Sequence, residues 1–123
     1  MPLKIETLPH ELTVCRVADA GCLPMKGELY FIARTDAEVS LVCPTRDVPM
    51  ETIAHEDGWR AFRISGVLDF SMVGVLARVS NLLAEGQISI FAVSTFNTDY
   101  ILVKEECFER ALGILREHGY EVL

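Results

Sequence analysis

The sequence predicts an α+β fold in which two helices cover one face of an antiparallel sheet. Three observations carry this. Two segments, near residues 72–83 and 105–117, repeat apolar residues at three-and-four spacing, the period of a half-buried helix. Short β-branched and aromatic runs at 59–64, 88–94, 100–103 and 120–123 alternate with those segments. Read in order, residues 59–123 run strand, helix, strand, strand, helix, strand, the ferredoxin-like βαββαβ pattern.

The elements follow in chain order. Residues 1–10 read as a polar lead-in closed by Pro9, and 11–17 (ELTVCRV) as a strand. Residues 19–27 carry two Gly and one Pro and hold at most one helical turn. Strands are expected at 29–33 and 39–43, joined by a polar connection at 34–38. Glu56-Asp57-Gly58 reads as a turn. In 59–64 the alternation puts Trp59, Ala61 and Arg63 on one face and Arg60, Phe62 and Ile64 on the other. Met72, Val75, Leu76, Val79, Leu82 and Leu83 mark the first helix. Asp69 or Ser71 is expected to cap it, with Gly86 ending it in the left-handed position. In the second helix Phe108, Ala111, Leu112 and Leu115 share a face. Glu105 and Glu106 open it and Arg116 and His118 close it, as the helix dipole favours, and Gly119 ends it.

The first half is a shortened echo of the second. Phe31-Ile-Ala-Arg-Thr35 followed by Leu41-Val42 resembles Phe91-Ala-Val-Ser-Thr95 followed by Leu102-Val103. One extra residue in the second copy is expected, bringing Glu38 opposite Asp99. The chain therefore divides into a degenerate β-rich lobe, 1–57, and a full βαββαβ lobe, 58–123.

Composition narrows the function. The chain has 123 residues, 50% apolar and 24% charged, with a net charge of −7. That charge repels nucleic-acid backbones and anionic membranes. The apolar runs fall short of the ~20 residues of a membrane span. The N-terminus lacks the apolar core of a signal peptide, so a cytoplasmic protein is expected. Cysteines at 15, 22, 43 and 107 make no C-x-x-C pair and read as reduced packing residues. His10, His55 and His118 are scattered, so neither a metal site nor a cofactor is expected. No Ser/His/Asp, Cys/His or paired-carboxylate arrangement at fixed spacing points to an enzyme.

Chemistry converges at one rim. In this topology the strands 59–64 and 88–94 end at the same edge of the sheet. The loop after Ile64 delivers a helix N-terminus, whose free amides hold anions. Gly74 admits a ligand or a neighbouring backbone. The turn after Ser94 delivers Thr95, Asn97 and Asp99, with Asp99 placed for a cation. Together they suit a zwitterion such as a free amino acid. The same residues also read locally: Asp69 and Ser71 as caps, Asn97 and Asp99 as turn formers.

These residues resemble the ACT-domain family of amino-acid-sensing modules. The likeness is to short bacterial proteins with two ACT-like lobes, related to the ACT lobes of the eukaryotic arginine sensor CASTOR. It rests on Gly66-Val-Leu-Asp-Phe-Ser-Met-Val-Gly-Val75 and on residues 83–104, above all Ser94-Thr-Phe-Asn-Thr-Asp-Tyr-Ile-Leu-Val103. Residues 12–16 and 35–44 match more weakly. The resemblance implies ligand binding between lobes and homo-oligomers, commonly dimers. Carried over by position, the ligand-facing residues are Asp69, Phe70, Ser71, Met72, Val73, Gly74 and Val75, with Thr95, Phe96 and Asp99 opposite. Met72 stands where the arginine sensor has an acidic residue, and Asp69 where it has a glycine, so a smaller or less basic amino acid fits as well. The expected function is a non-enzymatic regulatory module that binds a small molecule, with a regulated protein as partner. The alternative is a dimerisation module with a vestigial pocket.

Overall fold

The computed structural model describes residues 3–19, 21, 23, 27–66 and 74–123. The chain forms two compact units, one of Met1–Pro9 with Arg60–Leu123 and one of His10–Trp59. A plain cut at 57/58 differs from this in the first nine residues, which join the second half of the chain, and in Gly58 and Trp59, which stay with the first.

The unit His10–Trp59, the first lobe, contains strands β2 (Leu12–Val17), β3 (Phe31–Arg34) and β4 (Val39–Pro44). The first part of β5 (Ala54–Ile64) completes it. The order is β3-β4-β2-β5, all antiparallel. Cys15, Val17, Val39, Leu41 and Cys43 form its core. Glu56-Asp57-Gly58 is not a turn. It lies inside β5, and the register against β2 slips between Leu12↔Trp59 and Val14↔Glu56. Gly58, at φ 83°, takes up the extra residue as a β-bulge. The turn-like composition was real, but the neighbouring strand absorbed it into the ladder.

The second lobe holds β1 (Lys4–Thr7), the rest of β5, α1 (Val75–Glu85), β6 (Phe91–Ser94), β7 (Asp99–Lys104), α2 (Glu105–Glu117) and β8 (Glu121–Val122). Its order is β8-β1-β5-β7-β6. This is the expected ferredoxin-like arrangement with one added strand. Residues 4–7, expected as lead-in, insert between β5 and β8, antiparallel to the first and parallel to the second. Ile5 pairs with Ile64 and is wholly buried, which supplies the driving force. Its partner lies 59 positions away, so no local pattern reveals the strand.

Both helices pack on one face. Val79 and Leu83 of α1 and Phe108, Ala111, Leu112 and Leu115 of α2 meet Ile5, Phe62, Ile64, Ile101 and Val103. The apolar stripe of α2 is the one the spacing predicts. The start of α1 is not. The helix begins at Val75 behind Gly74, which sits at φ 81° with no side-chain cap. A left-handed residue there interrupts the helical path directly ahead of Val75, and Met72, which the spacing put on the stripe, falls outside the described residues. The proposed caps Asp69 and Ser71 fall outside the described residues. At the other end Gly86 has φ −84°, and Gln87 takes the left-handed position at φ 60°. A Cβ at 86 would lie 2.6 Å from Ile114 Cδ1, so the end of that flexible side chain would have to shift to admit one. Gly119, at φ 92°, follows α2 as expected.

The echo between the lobes is closer than the sequence alignment suggests. Phe31 pairs with Val42 and Phe91 with Leu102, and each pair spans the same length of chain. No residue is inserted, so Glu38 corresponds to Thr98 and Val39 to Asp99. The two turns are closed alike: Thr35 N–H donates to Glu38 O and Thr95 N–H to Thr98 O, each at 2.9 Å. Directly after β4, where α2 follows β7, the first lobe has a single 3-10 turn, Thr45–Asp47.

Candidate functional site

The rim of the second lobe is built from the ends of β5 and β6 and the start of β7. Thr98, just ahead of β7, is buried, and its Oγ1 donates to the carbonyl of Ile64, the last residue of β5, at 2.8 Å. Ser94, the last residue of β6, faces Asp99 across the hairpin. The loop leaving Ile64 and the turn 95–98 therefore start side by side. Thr98 did not stand out in the sequence, because a Thr beside a strand has no local signature for a remote carbonyl.

The turn itself is closed by side chains. Thr95 Oγ1 donates to Thr98 O at 3.0 Å and accepts from Thr98 N–H at 3.4 Å. Ser94 Oγ donates to Asp99 Oδ1 at 2.6 Å. The second carboxylate oxygen of Asp99 has no partner among the described residues. Asn97 is exposed at the tip, and Phe96 keeps 78% of its surface in solvent. Of the loop-side residues, Asp69, Phe70, Ser71, Met72 and Val73 lie outside the described residues. Gly74 is exposed, while Val75 packs partly against the helix-face core. Among the described residues nothing lies within 4 Å of a Cβ on Gly74, and its positive φ calls for glycine.

A second network stands at the same rim on the sheet face away from the helices. Arg63 donates from Nη2 to Glu6 Oε2 at 2.9 Å and from Nη1 to the Tyr100 hydroxyl at 3.1 Å. Ser65 Oγ donates to Glu6 Oε1 at 2.8 Å. The Ser65 hydroxyl, followed by Arg63, holds the Glu6 carboxyl below its ordinary pKa. The bond to Tyr100, then that to Glu6, pushes the Arg63 guanidinium up. Period-two reading placed Arg63 on this face. Glu6 was missed because it belongs to the inserted strand.

Among the described residues, the rim sets a helix start with no side-chain cap beside a carboxylate oxygen with no partner. The first amides of α1 can hold an anion and Asp99 a cation. Among the described residues no group of His, Cys, Asp and Glu is clustered to hold a metal. No helix among them is long and apolar enough to cross a membrane.

Comparison with known proteins agrees with this architecture. The ACT domain model matches residues 54–117. The mouse protein "Cytosolic arginine sensor for mTORC1 subunit 1" is 34% identical over 90 residues, covering 72% of this chain and 27% of that protein. The chain thus spans about a quarter of that relative's length. A crystal structure of an Agrobacterium tumefaciens protein superposes with a TM-score of 0.88 at 28% identity, covering 100% of this chain and 93% of the other. The ligand-free regulatory subunit of aspartate kinase from Thermus thermophilus shares the fold, with a TM-score of 0.62 at 12% identity over 92% of this chain and 95% of its own. With its βαββαβ lobe and a family match over more than half its length, this chain belongs to the ACT-domain family.

Proposed function

We propose that the protein is a non-enzymatic regulatory module that binds a free amino acid at the rim of its second lobe. The bond from Thr98 to Ile64 carries the reading, because it sets the 95–99 turn beside the root of the loop that opens α1. In this reading Gly74, Val75 and the preceding residues 69–73 face the ligand carboxylate, and Asp99, with Thr95, Phe96 and Asn97, faces its ammonium group. Residues 1–57 and 58–123 are read as a degenerate and a full ACT lobe, with the first strand lent to the second. A cytoplasmic homodimer that shifts its affinity for a protein partner on binding completes the proposal.

Thermal-shift screening against the twenty amino acids tests it. A ligand at a hundred times its Kd stabilises a protein by about 2.7 kcal/mol. The expected result is a shift with a small subset of amino acids, lost in Asp99→Ala. No shift with any of them at millimolar concentration counts against the reading.

The second reading is a dimerisation module with a vestigial pocket. Phe96 favours it, as a large aromatic side chain exposed at the tip of the turn. Under that reading Phe96→Ser weakens self-association in sedimentation, while Asp99→Ala changes nothing.

A further inference from the structure

We propose that the strap 48–53 of the first lobe is a docking surface for a basic, amphipathic helix of a protein partner. In the second lobe the segment after β7 folds back over the sheet as α2 and brings four buried side chains to the core. In the first lobe the segment after β4 makes one 3-10 turn, Thr45–Asp47, and then runs to β5 as Val48-Pro49-Met50-Glu51-Thr52-Ile53. Pro49 keeps this strap from becoming a helix. It pushes the residue before it into the extended region, where Val48 lies at ψ 132°. Val48 packs on the lobe's core of Cys15, Val17, Val39, Leu41 and Cys43.

The outer side of the strap is apolar. Met50 is wholly exposed, and Ile53 keeps 56% of its surface in solvent. Of the five large apolar side chains exposed among the described residues, two therefore sit within these six positions. At most about 11 Å of chain separates them. That is the width of one helix with its side chains, so a single partner helix meets both. The strap is held at its two ends: Val48 N–H donates to Thr45 O at 3.3 Å, and Ile53 N–H to Arg16 O at 2.8 Å. Less backbone freedom is then lost when a partner docks.

Charge selects the occupant. The unit His10–Trp59 has nine acidic and four basic residues, and so carries −5 of the chain's −7. Residues 45–57 hold Asp47, Glu51, Glu56 and Asp57 against Arg46 alone. Glu51, between the two apolar side chains, is exposed and makes no ion pair among the described residues. That field repels acidic segments, nucleic acid and anionic membranes. It draws in a helix whose apolar stripe is flanked by Lys and Arg, and Met50 and Ile53 take the stripe. Methionine suits the task, because its unbranched thioether adapts to differently shaped apolar surfaces.

Fluorescence polarisation of a labelled model helix added to the full chain tests this. The probe is a peptide of about 18 residues, five helical turns, with Leu on one face and Lys on the other. One comparison peptide scrambles the two faces, and another carries Glu in place of Lys. The expected result is saturable binding of the Leu/Lys helix, weakened by salt, and at least about tenfold tighter than that of either comparison. Met50→Ser and Ile53→Ser each lower the affinity about fivefold, and Glu51→Lys lowers it and reduces its salt dependence. Asp99→Ala leaves binding unchanged, which separates this surface from the amino-acid site proposed for the second lobe. The replaced side chains are exposed, and circular dichroism checks that each variant is folded. The proposal is overturned by no saturable binding, by equal binding of the scrambled peptide, or by an affinity unmoved in the double variant Met50→Ser with Ile53→Ser.

Discussion

Thr98 and Ile64 lie 34 positions apart in the chain, yet the Thr98 hydroxyl closes on the Ile64 carbonyl at 2.8 Å in a buried setting. This bond joins the end of one strand to the turn preceding another. It also fixes where the loop leading to α1 departs. Thr98→Val keeps the shape and removes the hydroxyl that donates to the Ile64 carbonyl. The expected cost is about 0.5–1.5 kcal/mol in urea denaturation. Faster hydrogen exchange at residues 95–98 should accompany it, and unchanged exchange there would refute the role assigned to Thr98.

Two glycines at the ends of α1 answer to different constraints, and substitution separates them. Gly74 sits at φ 81° in open space. Gly74→Ala should cost about 1–2 kcal/mol, the penalty of a Cβ in the left-handed region, and Gly74→Asn less. Gly86 has an ordinary φ and is limited by Ile114 Cδ1, the end of a flexible side chain. Gly86→Ala should therefore cost less than Gly74→Ala in paired denaturation curves. Reversed order would show that packing, not backbone conformation, governs the start of α1.

The Glu6 network predicts a pH dependence of defined sign. The carboxyl has its pKa lowered from 4.5, through Ser65 first and Arg63 second. Glu6 thus keeps its charge to lower pH in the folded chain than in the unfolded one. The stability it adds is present above about pH 4.5 and is lost as pH falls through the folded value. Glu6→Gln should flatten the acid side of the stability–pH curve. An unchanged slope between pH 5 and 3 would remove Glu6 from the account.

Cysteine reactivity provides a separate check on the cores. Burial, with Cys15 and Asp47 nearby, pushes the Cys43 thiol up to about 11. Burial and Asp57 push Cys15 up as well. Cys107 is half-buried on α2. Under native conditions near neutral pH, iodoacetamide should modify Cys107 more than about tenfold faster than Cys15 or Cys43. Peptide mapping by mass spectrometry reads this directly. Comparable rates at all three would mean that the first lobe opens readily.

The turn at the rim was legible because its parts are local. The turn 95–99 and the strands either side of it follow from turn residues and period-two runs. Their convergence with the loop after Ile64 follows from strand order alone. Glu6 and Thr98 were not legible. Each acts on a partner dozens of residues away, and a single sequence holds no record of that pairing. The spacing of Phe31 and Leu41 was misjudged for a related reason: side chains alone suggested an inserted residue, and the hydrogen-bond ladder shows none.

By itself the sequence determined the α+β class, the full stripe of α2, the βαββαβ order and the edge at which its loops gather. Those features rest on short-range periodicity and on the few topologies that such an order permits. Tertiary structure alone decided that residues 4–7 become a strand beside β5, that Gly58 bulges instead of turning, and that α1 begins at Val75. In each case the deciding partner is a remote backbone or core surface, whose burial and ladder bonds outweigh the weaker local preference of a few residues.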